Sequence, residues 1–519
     1  MIKRSLLSTI GLSILLSACS FKSNTSESNS NAKPNIVYIL ADDLGYGDLG
    51  CYGQQLIETP NIDKLAAEGI RFTQHYSGAP VCAPSRCMLL TGKHPGHAQI
   101  RGNDEWGERG DVWNYLAQLA DSTLEGQRPL AEETPTIASQ LQEAGYSTGM
   151  VGKWGLGAPN TKSTPTQMGF DFFTGYNCQR QAHTYYPVHL WKNGKKLLLG
   201  NDTVAPSTGF KPGADPYNMA SYSDYTLQTY SPDVMFSELI GFIERSSDGP
   251  FYAYWATPIP HAALQAPKKW VDYYVEKFGT EEPYIGNKGY FPCRYPHATY
   301  AAMISYLDEN VGKLVQKLKD LGVYDNTLII FTSDNGPTYN GGTDSPWFDS
   351  GGPFLSEFGW GKGFVHEGGF RVPMIASWPG KIEPGAESSH ISAFWDVMPT
   401  LCEIAGIQAP ADADGISFLP SLIGEEQPEH PYLYWEYPEY GGQQAVRIGK
   451  WKGIRKNIKK GNLKLELYNL DNDIQELNDV ATEYPEIIKE MEAIMKAEHE
   501  VPESDRFKME ALGDVIEAQ

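Results

Sequence analysis

Five short apolar runs, separated by longer stretches of helical character, are the feature that most restricts how this chain folds. The runs span 36–40, 148–151, 251–256, 327–332 and 374–378. They are rich in β-branched and aromatic residues, as buried strands are. The stretch 298–321 carries apolar residues at helical spacing and basic residues late, which is typical of a helix. Because strands that alternate with helices build parallel sheets, the sequence predicts an α/β domain with a central, mostly parallel sheet flanked by helices.

The pattern changes near residue 420, where short strands replace the alternation of strands and helices. The predicted strands span 432–436, 445–448, 451–454 and 463–469, and a helix is predicted near 484–498. We therefore predict a large domain over 34–425 and a small C-terminal α+β domain with an antiparallel sheet over 426–519. Within the large domain, the stretch 161–250 is rich in Tyr, Gly, Pro and Asn with little periodicity, and it is predicted to form long surface loops.

The N-terminus has the organisation of an export signal. Lys3 and Arg4 precede an apolar run over 6–16, and the run Leu16-Ser17-Ala18-Cys19 resembles the lipobox of bacterial lipoproteins. The sequence predicts a signal peptide over 1–19, lipidation of Cys19 and a flexible tether over 20–33. An ordinary cleaved signal peptide with an incidental cysteine is the alternative. The expected location is the bacterial cell envelope, on the periplasmic or surface face of the outer membrane, with the lipid anchor as the only membrane contact.

The net charge argues against one class of partner. Acidic residues outnumber basic ones by 64 to 42, which gives a formal net charge of −22. A chain this negative has no general attraction for nucleic acid or anionic lipid surfaces, so nucleic acid is not an expected partner. An anionic substrate would have to meet a local cluster of Lys and Arg. The seven cysteines lack the spacing of a zinc site or a disulfide framework, although one or two disulfides are compatible with export.

Polar residues follow four of the predicted strands. They are Asp42 and Asp43, then Lys153, then His261, and finally Asp334 and Asn335. Ligands of open α/β sheets bind at the carboxyl ends of the strands, where these groups converge. A cation would relieve the repulsion between the adjacent carboxylates of Asp42 and Asp43, whereas a lone Asp-Asp pair is more often a turn or a helix cap. Together with Asp334 and the Asn335 carbonyl they form an oxygen-only shell, which favours Ca²⁺ or Mg²⁺ over Zn²⁺.

A second constellation surrounds Cys82. The run Cys82-Ala83-Pro84-Ser85-Arg86, followed by Leu90-Thr91-Gly92, resembles the signature at which sulfatases convert a cysteine into formylglycine. Taken alone, this match leaves open that Cys82 is a small buried residue at a helix start. Further matching segments are 34–48, 145–154, Asp334-Asn335-Gly336, Gly361-Lys362-Gly363, Glu367-Gly368-Gly369 and Arg371-Val372-Pro373. From 35 to about 478 the chain resembles the formylglycine-dependent sulfatases, which are arylsulfatase-like members of the alkaline phosphatase superfamily, and 34–425 would be their catalytic domain.

The resemblance implies a reaction centre. Its parts would be a calcium site of Asp42, Asp43, Asp334 and Asn335, and a formylglycine at position 82 made by a formylglycine-generating maturation enzyme. One hydroxyl of the hydrated aldehyde, acidified by the cation and Arg86, would attack sulfur and leave a sulfated enzyme. Lys153 and Lys362 would bind the sulfate oxygens and offset charge on the leaving oxygen. His261 would donate a proton to the departing alcohol, with a hydrogen-bonded loop histidine as the alternative.

The chain departs from the family pattern at one position. Many relatives have a histidine two residues after the motif lysine, where this chain has Gly155. The usual base for the collapse of the second hydroxyl, which expels sulfate, is therefore missing. His183 is the candidate replacement, and His94, His97 and His366 are further candidates. A His183 that contacts substrate or is structural is the alternative.

The expected substrate is a sulfated carbohydrate, such as an algal galactan, ulvan or a glycosaminoglycan. Export and aromatic-rich loops favour it, since Tyr and Trp faces suit sugar rings. These features are most similar to those of a Bacteroidetes-type lipoprotein sulfatase from a polysaccharide-degrading system. Candidate substrate-binding residues are Arg101, Asn103, Arg180, His183, Tyr186, Trp191, Arg294 and His297. The alternatives are a phosphonate or phosphate ester hydrolase of the same superfamily and a non-catalytic glycan-binding lipoprotein.

Overall fold

The first described strand, β1 (Asn35–Asp42), lies in the middle of a large sheet, and all eight of its residues are buried. The computed structural model describes Met1 and residues 33–516. The predicted signal peptide after Met1, Cys19 and the tether up to residue 32 lie outside the described residues, and they stay predictions. From Lys33 onward the chain clusters into one unit. In the described part of the chain, no helix has both the length and the apolar character needed to cross a membrane.

The other elements follow in chain order. The remaining strands of the large sheet are β2 (Ile70–Tyr76), β3 (Ser147–Lys153), β4 (Phe172–Tyr176), β5 (His189–Lys192), β6 (Lys195–Leu198), β7 (Phe251–Pro260), β8 (Thr327–Ser333), β9 (Arg371–Ser377), β10 (Ala386–Ser388) and β11 (Ser392–Ala393). A second sheet contains β12 (Leu433–Tyr437), β13 (Gln443–Ile448), β14 (Trp451–Lys456) and β15 (Leu465–Asn469). The α-helices are α1 (Pro60–Ala67), α2 (Cys82–Thr91), α3 (Tyr115–Ala120), α4 (Ile137–Glu143), α5 (Ser231–Ser246), α6 (Lys268–Phe278), α7 (Pro296–Asp320), α8 (Ser345–Phe348), α9 (Glu367–Phe370), α10 (Val397–Ile404), α11 (Leu419–Ile423) and α12 (Pro485–Ala497).

The large sheet has the strand order β10-β2-β9-β8-β1-β7-β3-β4-β5-β6, with β11 paired to β2. Its five central neighbours, from β8 to β4, run parallel, whereas antiparallel pairs lie toward the edges. The predicted α/β fold with a mostly parallel sheet is therefore confirmed. Near the carboxyl end of β1, Leu40 pairs with Ala256 of β7 and Thr332 of β8. Because these strands end side by side, the residues that follow them gather at one edge.

The side chains of β1 alternate between two cores, one on each face of the sheet. Val37 and Ile39 join the cluster that contains residues of α5, α6 and α7. Tyr38 and Leu40 join the cluster that contains residues of α2, α4 and α10. This alternation follows from the two-residue period of a strand, and apolar side chains on both faces are expected where helices cover both. Helices on both sides thus fix the positions of the strand ends.

The prediction that 161–250 forms only long loops is wrong. This stretch contributes three strands at one end of the large sheet and the 16-residue helix α5. Pro232 lies in its first turn, and Met235, Leu239 and Phe242 recur at helical spacing on its buried face. The Tyr-, Pro- and Gly-rich residues on the N-terminal side of the helix masked this period in the sequence.

The second sheet confirms the predicted C-terminal architecture. Strands β12 to β15 pair in chain order and antiparallel, and Met491 and Met495 of α12 pack on one face. On the other face, Trp435 shares a core cluster with Tyr76 at the end of β2. The domain boundary at 425 stays a prediction. All six cysteines in the described part of the chain are free, so it contains no disulfide.

Candidate active site

Four strand ends bring the predicted polar residues to one buried place. Asp42 closes β1 and Lys153 closes β3, while His261 follows β7 and Asp334 follows β8. Asp43 has a φ of 65°, in the left-handed region that residues other than glycine rarely occupy. Its backbone N–H donates to Asp334 Oδ1 at 3.2 Å. The turn after β1 therefore holds the second carboxylate of the Asp-Asp pair against the end of β8.

The carboxylates of Asp42, Asp43 and Asp334 and the amide of Asn335 form an oxygen-rich cluster, and all four residues are buried. Asn335 donates to Asp43 Oδ1 at 2.8 Å, but no described residue donates to Asn335 Oδ1. Buried acceptors are nearly always paired, so this orphaned oxygen beside three carboxylates fits a site for a hard cation. Burial, together with Asp42, raises the pKa of Asp334 to about 7. A cation would relieve this repulsion, and the residues present thus fit Ca²⁺ or Mg²⁺.

Three basic side chains surround the oxygen cluster. Lys153 Nζ lies 2.7 Å from Asp42 Oδ2, and Lys362 Nζ lies 2.6 Å from Asp43 Oδ1. Arg86 donates to Asp334 Oδ2 through Nε at 3.0 Å and Nη2 at 2.8 Å. Burial alone would raise the pKa of Asp42, but Lys153, His261 and Arg86 hold it well below its usual range. With the three carboxylates balanced by three cations, a bound dication would leave the site positive and suited to an anion.

Cys82 is the first residue of α2 and lies inside this charged cluster. Its Sγ is 3.2 Å from Asp42 Oδ1 and 3.5 Å from Lys362 Nζ. Burial, with a further contribution from Asp42, raises the pKa of the Cys82 thiol far above its usual value. Because the thiolate is the nucleophilic form of cysteine, the unmodified side chain is a poor nucleophile here. Conversion of the side chain would remove this obstacle.

Two histidines stack at the wall of the site. The rings of His183 and His261 are 5.2 Å apart and nearly parallel, and Tyr290 meets both edge-on. His261 Nδ1 hydrogen-bonds the carbonyl oxygen of Ala262, and its Nε2 lies 3.6 Å from Asp43 Oδ2. Burial lowers the pKa of both rings, and Lys362 adds to this effect at His261. The candidate base His183 and the candidate acid His261 are therefore neighbours.

Gly155 has a local reason to lack a side chain. Its φ is +80°, and a Cβ there would lie 2.9 Å from Gln127 Oε1. A histidine at this position would be strained in this backbone conformation. The turn after β3 therefore disfavours the side chain that the resemblance implied.

A cavity of about 370 Å³ opens over this cluster. Its lining residues are Val81, Asn103, Glu105, Trp113, Gln179, His183, His261, Tyr290, Thr338, Tyr339, Asn340, Lys362, Glu439, Tyr440 and Arg506. Of the three basic side chains around the oxygen cluster, Lys362 lines this cavity, and loops and the C-terminal part of the chain form its walls. A groove of similar volume, about 390 Å³, lies beside Gln54 and Trp347, and none of the predicted catalytic residues lines it.

Three of the predicted substrate-binding residues belong to the cavity or its rim. Asn103 and His183 line it. Arg180 donates to the Trp113 carbonyl and stacks on the Trp113 ring at 5.6 Å, so it supports a lining residue.

The structure does not bring the other five predicted substrate-binding residues into the cavity. Arg101 is buried and donates to Glu436 at 2.9 Å. The remaining four also pack elsewhere: Trp191 bonds Glu125, Tyr186 packs on Tyr230, Arg294 stacks on Tyr295, and His297 stacks on Trp347. None of these five residues lines the cavity, and each packs on or bonds another residue of the chain, so the structure does not support them as substrate contacts.

The further base candidates also lie away from the cavity. His94 and His97 stack with ring centroids 4.0 Å apart, and His94 Nε2 lies 2.9 Å from Glu498. This trio has ligand atoms close enough for a metal ion, but His94 Nδ1 accepts the Gly96 N–H at 3.0 Å. The neutral ring then carries its proton on Nε2, which does not suit it as a ligand. His366 is buried against Trp360.

Sequence reasoning missed most of the cavity wall. Glu105, Trp113 and Gln179 come from irregular loops, and Glu439 and Arg506 come from the C-terminal part of the chain. None of these residues lies in a matching motif or a periodic element. Only the close approach of distant segments identifies them.

Two family models match the chain. The model described as Sulfatase matches residues 34–407, and the model described as N-sulphoglucosamine sulphohydrolase, C-terminal, matches 356–501. The chain is 32% identical over 430 residues to N-acetylgalactosamine-6-sulfatase of Canis lupus familiaris, which covers 81% of the chain and 71% of that relative. It is 28% identical to N-acetylgalactosamine-6-O-sulfatase of Bacteroides thetaiotaomicron, over 93% of the chain and 96% of that relative. The crystal structure of Ps i-CgsB, also solved in complex with k-i-k-neocarrahexaose, has 28% identity and a TM-score of 0.69 and covers 91% of this chain and 94% of its own.

Proposed function

Because the chain belongs to the sulfatase family and is a sulfuric ester hydrolase, we propose that it removes sulfate from a sulfated carbohydrate and that residue 82, as formylglycine, supplies the nucleophile. The observation that carries this proposal is the position of Cys82 Sγ, 3.2 Å from Asp42 and 3.5 Å from Lys362. A nucleophile in this place would meet the sulfo group where positive charge is concentrated. The raised pKa of the thiol makes a converted side chain the better candidate.

Lys153 and Lys362 would hold the sulfate oxygens. Lys362 lines the cavity, whereas Lys153 is fully buried against Asp42, so the two would contact an anion from different sides. Arg86 would stay bonded to Asp334 and fix that carboxylate. The oxygen cluster of Asp42, Asp43, Asp334 and Asn335 would hold Ca²⁺, with Mg²⁺ as the alternative. Such a cation would supply charge that stabilises the transferring sulfo group.

His261 would donate the proton to the departing alcohol. Its Nδ1–H donates to the Ala262 carbonyl oxygen, so the transferable proton must be a second one, on Nε2, which faces the cluster. The ring would therefore act as the imidazolium, a form that Asp43 and the negative charge of a bound sulfate ester would favour against the effect of burial. The ring lines the cavity in which the leaving group would lie. The stacking on His183 and Tyr290 keeps it in this orientation.

The rim of the cavity supports a carbohydrate as the leaving group. Trp113 is 57% exposed and Tyr440 is 48% exposed, and both line the cavity, where their ring faces are available to a ligand. Sugar rings stack on such faces. Two of the relatives are an N-acetylgalactosamine-6-sulfatase and an N-acetylgalactosamine-6-O-sulfatase, and Ps i-CgsB was solved in complex with k-i-k-neocarrahexaose. A hexose or hexosamine sulfate within a polysaccharide or its fragments is therefore the proposed substrate class.

The test is hydrolysis of a panel of defined sulfated saccharides by protein made in a host with the maturation enzyme. Each sulfate ester is matched with the corresponding phosphate ester. We expect sulfate release from at least one saccharide, and much slower release of phosphate from its partner. Faster phosphate release would favour the phosphoryl-transfer alternative, and release of neither would favour a glycan-binding protein.

Replacement of His183 by Ala is expected to slow turnover by about 10²-fold or more, since a positioned general base contributes about 10²–10⁴-fold. If His183 is the base that expels sulfate, the step that forms the sulfated residue 82 should still occur. The sulfo group should then stay on the protein after mixing with substrate, and intact-mass spectrometry would detect it.

The matched control is His97→Ala. His97 hydrogen-bonds Asp414 outside the cavity, so its loss should leave turnover unchanged. Unchanged turnover in the His183→Ala protein would contradict the assignment. Slow turnover without retained sulfo group would show that His183 contributes to binding instead.

A further inference from the structure

Glu105 is a buried carboxyl without a partner in the cavity wall. It lines the cavity and is only 8% exposed. No described residue donates to its Oε2, and its Oε1 has only a long contact of 3.5 Å with Gln127 Nε2. Buried carboxylates normally accept several hydrogen bonds, because an unpaired one loses its hydration without compensation. An unpartnered oxygen in a binding cavity is therefore positioned for a donor that the free protein lacks.

Two buried glutamates outside the cavity look different from Glu105. Glu125 is fully buried and accepts hydrogen bonds from the indole of Trp191 and from His189. Glu367 is also buried and accepts from Lys452 at 2.8 Å and Arg371 at 2.9 Å. These carboxylates have the partners that burial requires. Glu105 lacks such hydrogen-bond partners, so a purely structural role does not explain why it is buried here.

The surroundings of Glu105 offer acceptors more than donors. Gln127 Oε1 is also without a partner among the described residues, and it is the atom nearest to where a Cβ on Gly155 would stand. Burial raises the pKa of Glu105 to about 7, although Lys153 and Arg180 oppose this effect. No basic side chain in the described chain forms an ion pair with Glu105 at 4.0 Å or less. At a pH above that pKa, Glu105 is an anion, and this side of the cavity then disfavours a second anion and favours a neutral donor.

We propose that Glu105 is a specificity-determining residue, which accepts a hydrogen bond from a free hydroxyl group or amide N–H of the sugar unit that carries the reacting sulfate. The proposal rests on the proposed function, and it narrows the substrate class. Lys153 and Lys362 would hold the reacting sulfate, while Glu105 would accept a hydrogen bond from a neutral donor beside it. A sugar unit with a second sulfate in place of that donor would bring two anions together and be rejected.

The test uses a saccharide that the wild-type protein desulfates, together with analogues in which each free hydroxyl or amide of the sulfated unit is removed in turn. In the wild-type protein, at a pH above the pKa of Glu105, we expect one analogue to have a kcat/KM about 10–100-fold below that of the parent, as expected for a lost hydrogen bond to a charged group. In Glu105→Ala, parent and that same analogue should have equal kcat/KM. Glu105→Gln keeps the shape of the side chain and removes its charge. The ratio of kcat/KM for the parent to that for the analogue should therefore lie between the ratios of the wild type and of Glu105→Ala.

Glu143→Gln is the control, since Glu143 is an exposed residue of α4 outside the cavity, and it should behave as wild type. Equal kcat/KM for parent and every analogue in the wild-type protein would overturn the proposal. So would a Glu105→Ala protein that still discriminates against the analogue as the wild type does. If the wild-type protein releases sulfate from no saccharide, the proposed function itself fails. This outcome differs from the two that would overturn only the role of Glu105, because in both of those the wild-type protein is active. Thermal unfolding of each variant shows that it is folded before kinetics are compared.

Discussion

Cys82→Ala protein is expected to lose sulfate-ester hydrolysis, with kcat/KM at least about 10⁴-fold below that of the wild type, as when a covalent nucleophile is removed. The substitution removes one sulfur atom at a buried position, so the cost in stability should be small, about 1 kcal/mol. The charged cluster around it keeps its ion pairs, because Lys153 and Lys362 remain bonded to Asp42 and Asp43. A large loss of activity in a folded protein would therefore assign the nucleophile to this position.

The chain offers a matched control in the same helix. Cys87 is also buried in α2, but it packs in the hydrophobic core and its thiol lies away from the charged cluster. Cys87→Ala should retain the activity of the wild type. Peptide mass spectrometry of the wild type should find the aldehyde at position 82 and a thiol at position 87. Full activity in a preparation that contains only thiol at position 82 would refute the proposed nucleophile.

Removal of divalent cations is expected to abolish turnover, and added Ca²⁺ should restore it. The same cation should stabilise the fold, because a ligand at 100 times its Kd raises the free energy of unfolding by about 2.7 kcal/mol. Asn335→Ala removes the orphaned amide oxygen of the cluster. We expect this variant to lose most of the Ca²⁺-dependent rise in Tm and to lose activity by about 10²-fold or more at fixed Ca²⁺.

The rise in Tm on adding Ca²⁺ is the quantity to compare, because Asn335 also donates to Asp43 and its loss lowers the starting Tm. His97→Ala again serves as the control, since it removes one member of the His94, His97 and Glu498 group, whose polar atoms also lie close together outside the cavity. The Ca²⁺-dependent rise should persist in this control. The same rise in Asn335→Ala as in the wild type would place the cation elsewhere.

Much of the reaction centre was predictable because its residues lie at the ends of strands. Asp42, Asp334 and Lys153 lie directly at the ends of apolar runs, and a parallel sheet brings such ends together whatever the loops do. Cys82 and Lys362 were found through motifs that the family resemblance supplied, since periodicity alone gives no reason to bring position 362 to position 82. Their 3.5 Å contact depends on tertiary packing.

The walls of the site were not predictable in the same way. Arg101 and Trp191 were chosen for residue type and nearness to motifs, yet Arg101 bonds Glu436 and Trp191 bonds Glu125. A polar or aromatic side chain in a loop becomes a substrate contact only if no other residue of the chain binds it first. Glu105 meets that condition, and nothing in its sequence neighbourhood distinguishes it from Glu108.

Residues from distant parts of the chain form the cavity wall together. Arg506 donates to the Asn103 carbonyl at 2.8 Å, across 403 residues of sequence, and Glu439 accepts from the Asn103 N–H at 3.2 Å. A chain that ended before Arg506 would retain every residue of the reaction centre and would lack this part of the cavity wall. Substitutions at Glu439, Tyr440 or Arg506 would therefore change the wall of the cavity without replacing any residue of the reaction centre.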